Sequence, residues 1–378
     1  MSAYRNKRAI AAVAVPLLAV LIAVAPAGPA LAASWSVSPT PNGTPFNNQF
    51  LGVDAEGSAA AWAVGSAVTD NFGKRQPIAA RWDGASWTLV TTPAFTGDAA
   101  LESVDGTWAV GHANSATLCE RWNGSSWSVV PTPTPSGAIS SRLRDVKVMA
   151  PDDVWAVGHY STSSNPTTRT LITRWNGTSW STVPSPDPDP TQNLLVAVDG
   201  VAANDVWAIG NLGNDGYGGN TVAGLVLRWN GSSWTRSTIP TGNGFTVTEL
   251  FDVAAVASDN VIAVGTAFSW QTFSFVPYVL RWNGQSWQHG TIPNPPGGSF
   301  RAVTALSATQ VYAFGRKDTG ELLIARWNGT TWSLETPPAV AGAWPAEASA
   351  VAGTGTVWAV GAQGHSTFRT LAVRTTNG

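Results

Sequence analysis

The sequence predicts an all-β chain folded as a seven-bladed β-propeller of four-stranded antiparallel blades. Three observations carry that prediction. A string WAVG or a near variant begins at Trp62, Trp108, Trp155, Trp207, Ile262, Tyr312 and Trp358, spaced 46 to 55 residues apart. A second string, RW[ND]G-x-x-W, begins at Arg81, Arg121, Arg174, Arg228, Arg281 and Arg326, and a broken copy, RTTNG, stands at Arg374–Gly378. A Leu/Phe-x-x-Val pattern precedes WAVG, as at Leu143–Val146, Leu195–Val198, Leu250–Val253 and Phe300–Val303, with only Ala348–Val351 in the last copy. A repeat of this length made of short strand patterns is what a propeller blade requires.

Each copy divides into four strands. In the third they read LRDVKV, VWAVGHY, TLITRW and SWSTV. They are rich in β-branched and aromatic residues and are bounded by Gly, Pro, Asn or Asp. The second strand is apolar at nearly every position rather than alternating, which predicts burial on both faces. The Asn-Gly or Asp-Gly step between the third and fourth strands is the strongest short hairpin signal. A two- or four-residue loop puts Trp175 and Trp180 on one face, where they pack on each other and on the next blade. Each buried Trp contributes ~4–6 kcal/mol gross at ~25 cal/mol/Å2. Eighteen of the twenty Trp occupy repeat positions, so these are read as packing residues rather than ligand platforms. The repeated Arg is read as structural, bonding backbone carbonyls of an adjacent blade.

The broken copy is explained by the other end of the chain. Residues 1–32 read as a secretory signal: a basic start at Arg5, Lys7 and Arg8, an apolar run from Ala9 to Ala25, and a small-x-small site, Ala30-Leu31-Ala32. The mature chain, 33–378, then begins ASW, and RTTNG followed by ASW matches the RWDGASW of the first blade. The N-terminal strand is therefore expected to become the outermost strand of blade 7 and close the ring, where an open solenoid would need polar caps.

Composition narrows the partners. Charged residues are 12% and the formal net charge is −2, with no basic excess for nucleic acid and no acidic excess for disorder. No segment after the signal is long and apolar enough to span a bilayer. The one Cys, Cys119, admits no intrachain disulfide and reads as a small core residue. The N-x-[ST] matches at Asn123, Asn176, Asn230 and Asn328 fall on the hairpin steps and read as turn chemistry.

The candidate binding face follows from the meander. Connections from second to third strand and from fourth to the next first strand share one face, and there length and composition vary. From the WAVG Gly to the repeat Arg, 9 residues intervene in blade 2 and 17 in blade 4. Rigid scaffolds place recognition on such loops. Two Trp outside the repeat, Trp270 in the blade 5 loop and Trp344 in the connection between blades 6 and 7, fall on this face with Tyr160, Tyr217 and Phe268. The residue after each WAVG Gly also varies: Ser66, His112, His159, Asn211, Thr266, Arg316 and Ala362. The ligand-binding candidates are Trp270, Trp344, Tyr160, Tyr217, His112, His159, Asn211 and Arg316. Asp54, Asp105, Asp199, Asp145 and Asp252 recur beside the first-strand Val, and strand-end hydrogen bonding is favoured for them over cation binding. No catalytic motif, metal-ligand spacing or phosphate loop is present, so no catalytic residue, metal or cofactor is assigned.

The WAVG and RWNGxSW strings, over nearly all of 33–378, resemble a group of secreted bacterial seven-bladed propellers described as kelch-like or lectin-like. The resemblance implies a secreted, lectin-like recognition module that binds a glycan, a cell-surface component or a protein partner. A polysaccharide-acting enzyme and a scaffold subunit of an extracellular complex remain as alternatives, and the sequence leaves the oligomeric state open.

Overall fold

The computed structural model describes residues 33–162, 167–213, 222–240, 245–269, 271–351 and 353–375. They form seven four-stranded antiparallel sheets, and among the described residues there is no helix. Six sheets run in sequence order from inner to outer strand. The inner strands are Asn48–Gly57, Ala99–Asp105, Ser140–Ala150, Asn193–Ala202, Phe245–Ala257, Gly298–Ser307 and Trp344–Ala350.

The seventh sheet closes the ring. Trp35–Ser38 pairs antiparallel with Arg369–Thr375, in register Trp35↔Thr375 to Ser38↔Ala372, and is the outermost strand of that blade. Thr40 Oγ1 donates to Thr370 O at 2.9 Å and extends the join. The last three residues of RTTNG lie outside the described residues, as do 1–32.

The core lies between blades, where apolar faces of neighbouring sheets meet. The repeated Trp build it. Trp175 and Trp180 face each other across a four-residue loop, their rings 6.0 Å apart. They pack on Trp108 of the preceding blade, at 4.9 and 5.2 Å. The same trio recurs as Trp155 with Trp229 and Trp234, and as Trp358 with Trp82 and Trp87. At the closing seam, Trp35 takes the fourth-strand place and meets Tyr312 and Phe314 edge-on, each at 5.3 Å.

The hairpin loops follow the expected turn chemistry. Asn176 Oδ1 accepts from the backbone N–H groups of Thr178 and Ser179 at 3.0 and 2.9 Å, and Gly177 takes φ +91°. The repeated Arg differs from expectation. Arg174 stacks over Trp155 at 4.7 Å and Trp229 at 5.9 Å, while its Nε donates to Asp153 Oδ1 at 2.7 Å. Arg228 repeats this on Trp207, Trp282 and Asp205. The partners of Arg174 and Arg228 are thus indole faces and a same-blade carboxylate instead of carbonyls, because the Trp trio leaves an indole face at the rim where a guanidinium can lie flat.

Candidate functional site

Every inner strand is interrupted at one shared place, and five of the seven carry a further register shift elsewhere. At the shared place the register against the second strand skips one residue: Leu51, Glu102, Arg144, Val196, Phe251, Arg301 and Ala346 in blades 1 to 7. This is a β-bulge, and it lies opposite the Gly of WAVG. The chains approach so closely there that a Cβ on Gly158 would overlap the carbonyl oxygen of Arg142. The Gly permits the bulge, and the bulge turns its extra residue toward the channel. All seven bulge residues line one cavity of about 510 Å3, joined by Gln49, Trp344 and Phe368. It opens where the inner strands begin, on the face of the variable connections.

Below this mouth the channel is held by carboxylates. Asp145 Oδ1 accepts from Ser103 Oγ at 2.6 Å and Val146 N at 2.8 Å, while Oδ2 accepts from Val198 N at 2.7 Å. Asp252 likewise spans Val253 N and Val303 N, at 2.7 and 2.6 Å. Nearer the hairpin face, Asp54 accepts from Gly106 N, Asp105 from Val148 N and Asp199 from Ala255 N, each at 2.8 Å. Each carboxylate thus ties its blade to the next, the strand-end role expected from sequence. Lys147 lies among them, 3.5 Å from Asp105 and 3.2 Å from Asp199. Burial raises Asp54 to about 7 and Asp145 to about 6, and holds Asp252 and Glu347 well above the usual carboxylate range. Among the described residues no group of three or more His, Cys, Asp or Glu is arranged to hold a metal ion.

The mouth itself is rich in arginine. Glu102 is shared by Arg142 at 3.8 Å, Arg144 at 3.4 Å and His112 Nδ1 at 3.3 Å. Burial opposes its ionisation, but His112, Arg144 and Arg142 together bring its pKa below the usual value. His112 Nε2 faces the guanidinium groups of Arg75 and Arg142 at 3.2 and 3.1 Å. Arg75 is itself paired with Asp98 at 2.6 Å. Across the ring, Arg301 lies over Phe251 at 3.9 Å and Arg316 over Trp344 at 4.0 Å. Among the described residues neither of these two Arg is in an ion pair, although Glu249 is near enough to favour the Arg301 charge. The buried Nε atoms of Arg144 and Arg316 have no hydrogen-bond partner.

The candidate residues are distributed as follows. Trp344 is the first residue of the blade 7 inner strand, paired with Ala362, where a loop position was expected. It is 41% exposed at the mouth. Arg316 stacks on it, so these two come together. His112 is 2% exposed and sits inside the Glu102 cluster. His159 neighbours that cluster; burial, with Arg144 and Arg142, lowers its pKa to about 4. Asn211 is committed to the next blade, donating to Leu250 O at 3.1 Å and accepting from Leu250 N at 2.9 Å. Tyr160 packs against the core between blades 2 and 3. Trp270 and Tyr217 lie outside the described residues. Sequence reasoning missed Glu102, Arg144, Phe251 and Arg301. Their signal was the first variable position of Leu/Phe-x-x-Val, which repeats in place but not in kind.

The same face carries exposed apolar side chains: Phe72 at 97%, Phe273 at 74%, Ile139 at 57% and Phe275 at 42%.

No family model matches the chain, and no curated protein matches it. Solved structures do. YCF48 from Cyanidioschyzon merolae superposes with a TM-score of 0.57 at 16% identity, over 91% of this chain and 99% of its own. A structure of YCF48 bound to D1 peptide gives 0.57 at 14% identity, over 93% of this chain and 98% of its own. Puromycin hydrolase gives 0.51 at 11% identity, over 88% of this chain and 55% of the hydrolase. At these identities the likeness shows a common fold.

Proposed function

We propose that this chain is a secreted, non-catalytic recognition module that receives a polypeptide segment of a partner at the mouth formed by the seven bulge residues. The observation that carries the reading is the division of labour within the repeat. The Trp trios, the hairpins and the carboxylate ties recur around the ring, while the seven bulge places hold six different residue types. A cavity of about 510 Å3 lies within the ~300–1,000 Å3 range of ligand sites. The exposed Phe72, Ile139, Phe273 and Phe275 stand on the same face, in blade 1, the connection between blades 2 and 3, and blade 5, which suits a macromolecule better than a small solute. A structural neighbour, YCF48, has been solved with a bound D1 peptide, so this architecture is able to receive one. Secretion rests on the signal pattern of residues 1–32.

A glycan is the second reading, favoured by the position of Trp344 at the mouth. An indole beside guanidinium donors suits sugar stacking and hydroxyl recognition. Binding of the mature chain to a random peptide array and to a glycan array, side by side, separates the two. We expect retention of peptides, weakened tenfold or more in Phe251→Ala. Retention of glycans lost in Trp344→Ala would select the lectin reading. Retention on neither array would contradict both.

A further inference from the structure

We infer that the mouth selects an acidic polypeptide segment, whose carboxylates are received by Arg144 and Arg301 while its apolar side chains lie on Phe251 and Val196. The inference rests on the polypeptide reading above and adds the chemistry of the ligand.

Three observations support it. The first is position. Arg144 and Arg301 occupy the same bulge place in blades 3 and 6. Three blades apart in a closed ring of seven, they stand on opposite sides of one cavity, and both line it. The bulge places of the two intervening blades hold Val196 and Phe251, so the path between the two cations is apolar.

The second is charge. Around Glu102 two guanidinium groups share one carboxylate, Arg301 has Glu249 near it but burial still lowers its pKa, and Arg316 is in no ion pair among the described residues. At the rim five guanidinium groups, those of Arg75, Arg142, Arg144, Arg301 and Arg316, face three carboxylates, Asp98, Glu102 and Glu249. Burial holds Asp145, Asp252 and Glu347, deeper in the same cavity, above the usual carboxylate range; the whole chain has a net charge of −2. A partly buried cation whose charge is incompletely balanced is costly, and an incoming carboxylate lowers that cost with a charge-assisted hydrogen bond.

The third is unused donor capacity. Arg144 Nε is buried without an acceptor. Arg301 has its face against Phe251, which fixes the plane of the guanidinium and leaves its N–H edge for a ligand. A neutral apolar peptide would leave these donors unpaired. A basic one would add like charge in a confined space.

The test uses the mature chain and an array of random eight-residue peptides with amidated C-termini, displayed in matched pairs. One member of each pair carries Asp and Glu, and the other carries Asn and Gln at those places. We expect the retained set to be enriched in acidic members, each bound at least tenfold more tightly than its neutral twin. Arg301→Gln and Arg144→Gln should each reduce that preference to about twofold or less, while Arg236→Gln on an outer strand leaves it unchanged. Melting temperatures identify any variant that fails to fold. Arg144, with its side chain 35% exposed, is the substitution the fold tolerates more readily. Equal binding of charged and neutral twins, or a preference surviving both variants, overturns the inference and leaves the polypeptide reading standing. Failure to retain any peptide of either kind removes that reading and this inference together.

Discussion

Single side chains in this protein are constrained by where the backbone bulges. The WAVG Gly has no room for a Cβ because the inner strand crosses it at the bulge. Gly158→Ala is therefore expected to cost roughly 3 kcal/mol or more, since backbone rather than a flexible side chain must shift, as read by chemical denaturation. A second residue-scale prediction concerns Glu120. It is 0% exposed, neither carboxyl oxygen has a partner, and burial raises its pKa to about 8. From its ordinary value of 4.5 to about 8, the unfolded chain loses this proton while the folded chain keeps it. The stabilisation it allows is complete below 4.5 and falls as pH rises, by on the order of 1.4 kcal/mol per unit, levelling near 8. Glu120→Gln should match the wild type at pH 5 and exceed its stability at pH 8; equal stabilities at both would refute this. What the sequence concealed at this scale was direction. The x of Leu/Phe-x-x-Val is variable in plain view, yet only the register shows that Arg144 and Arg301 are lifted into one cavity while Asn211 is turned into a seam.

At the scale of strands and hairpins, the repeated Trp were legible because their positions coincide with strand periodicity and an Asn-Gly step. Their partners were not. A sequence places Trp175 beside Trp180, but only packing shows that both close on Trp108 of the preceding blade rather than the following one. Trp155→Ala removes the centre of such a trio and is expected to cost about 3–5 kcal/mol, measured by denaturant unfolding. Arg174→Ala removes a guanidinium whose side chain is 33% exposed over the same rings, so the expected loss is smaller, ~0.5–1 kcal/mol. If the two losses came out equal, the indole cluster would not be the principal bond between blades. The variable connections resisted reading because they lack periodicity. Trp344 reads as a residue of the connection because it falls outside the repeat, yet it opens an inner strand, with Pro345 behind it on an edge strand where Pro is tolerated.

The whole molecule depends on closure. Trp35–Ser38 supplies the fourth strand of blade 7, and Trp35 fills the seam against Tyr312 and Phe314. Deleting 33–40 should lower the melting temperature sharply, because it exposes a strand edge and opens one inter-blade core; an unchanged value would refute closure as a source of stability. The broken RTTNG copy announced this seam, and the count of WAVG strings announced the number of blades. The ligand was not announced, since nothing in a blade repeat refers to it. The central claim is that recognition occurs at the bulge-lined mouth and not at the hairpin face. It is tested most directly by blocking each in turn. Cys119 is buried, with its thiol held unreactive by burial, so a bulky maleimide can be attached to one introduced thiol at a time. Peptide binding should be abolished by labelling Val196→Cys at the mouth and retained on labelling Ser126→Cys on the hairpin face. Binding that survives the first label and is lost with the second would contradict the account.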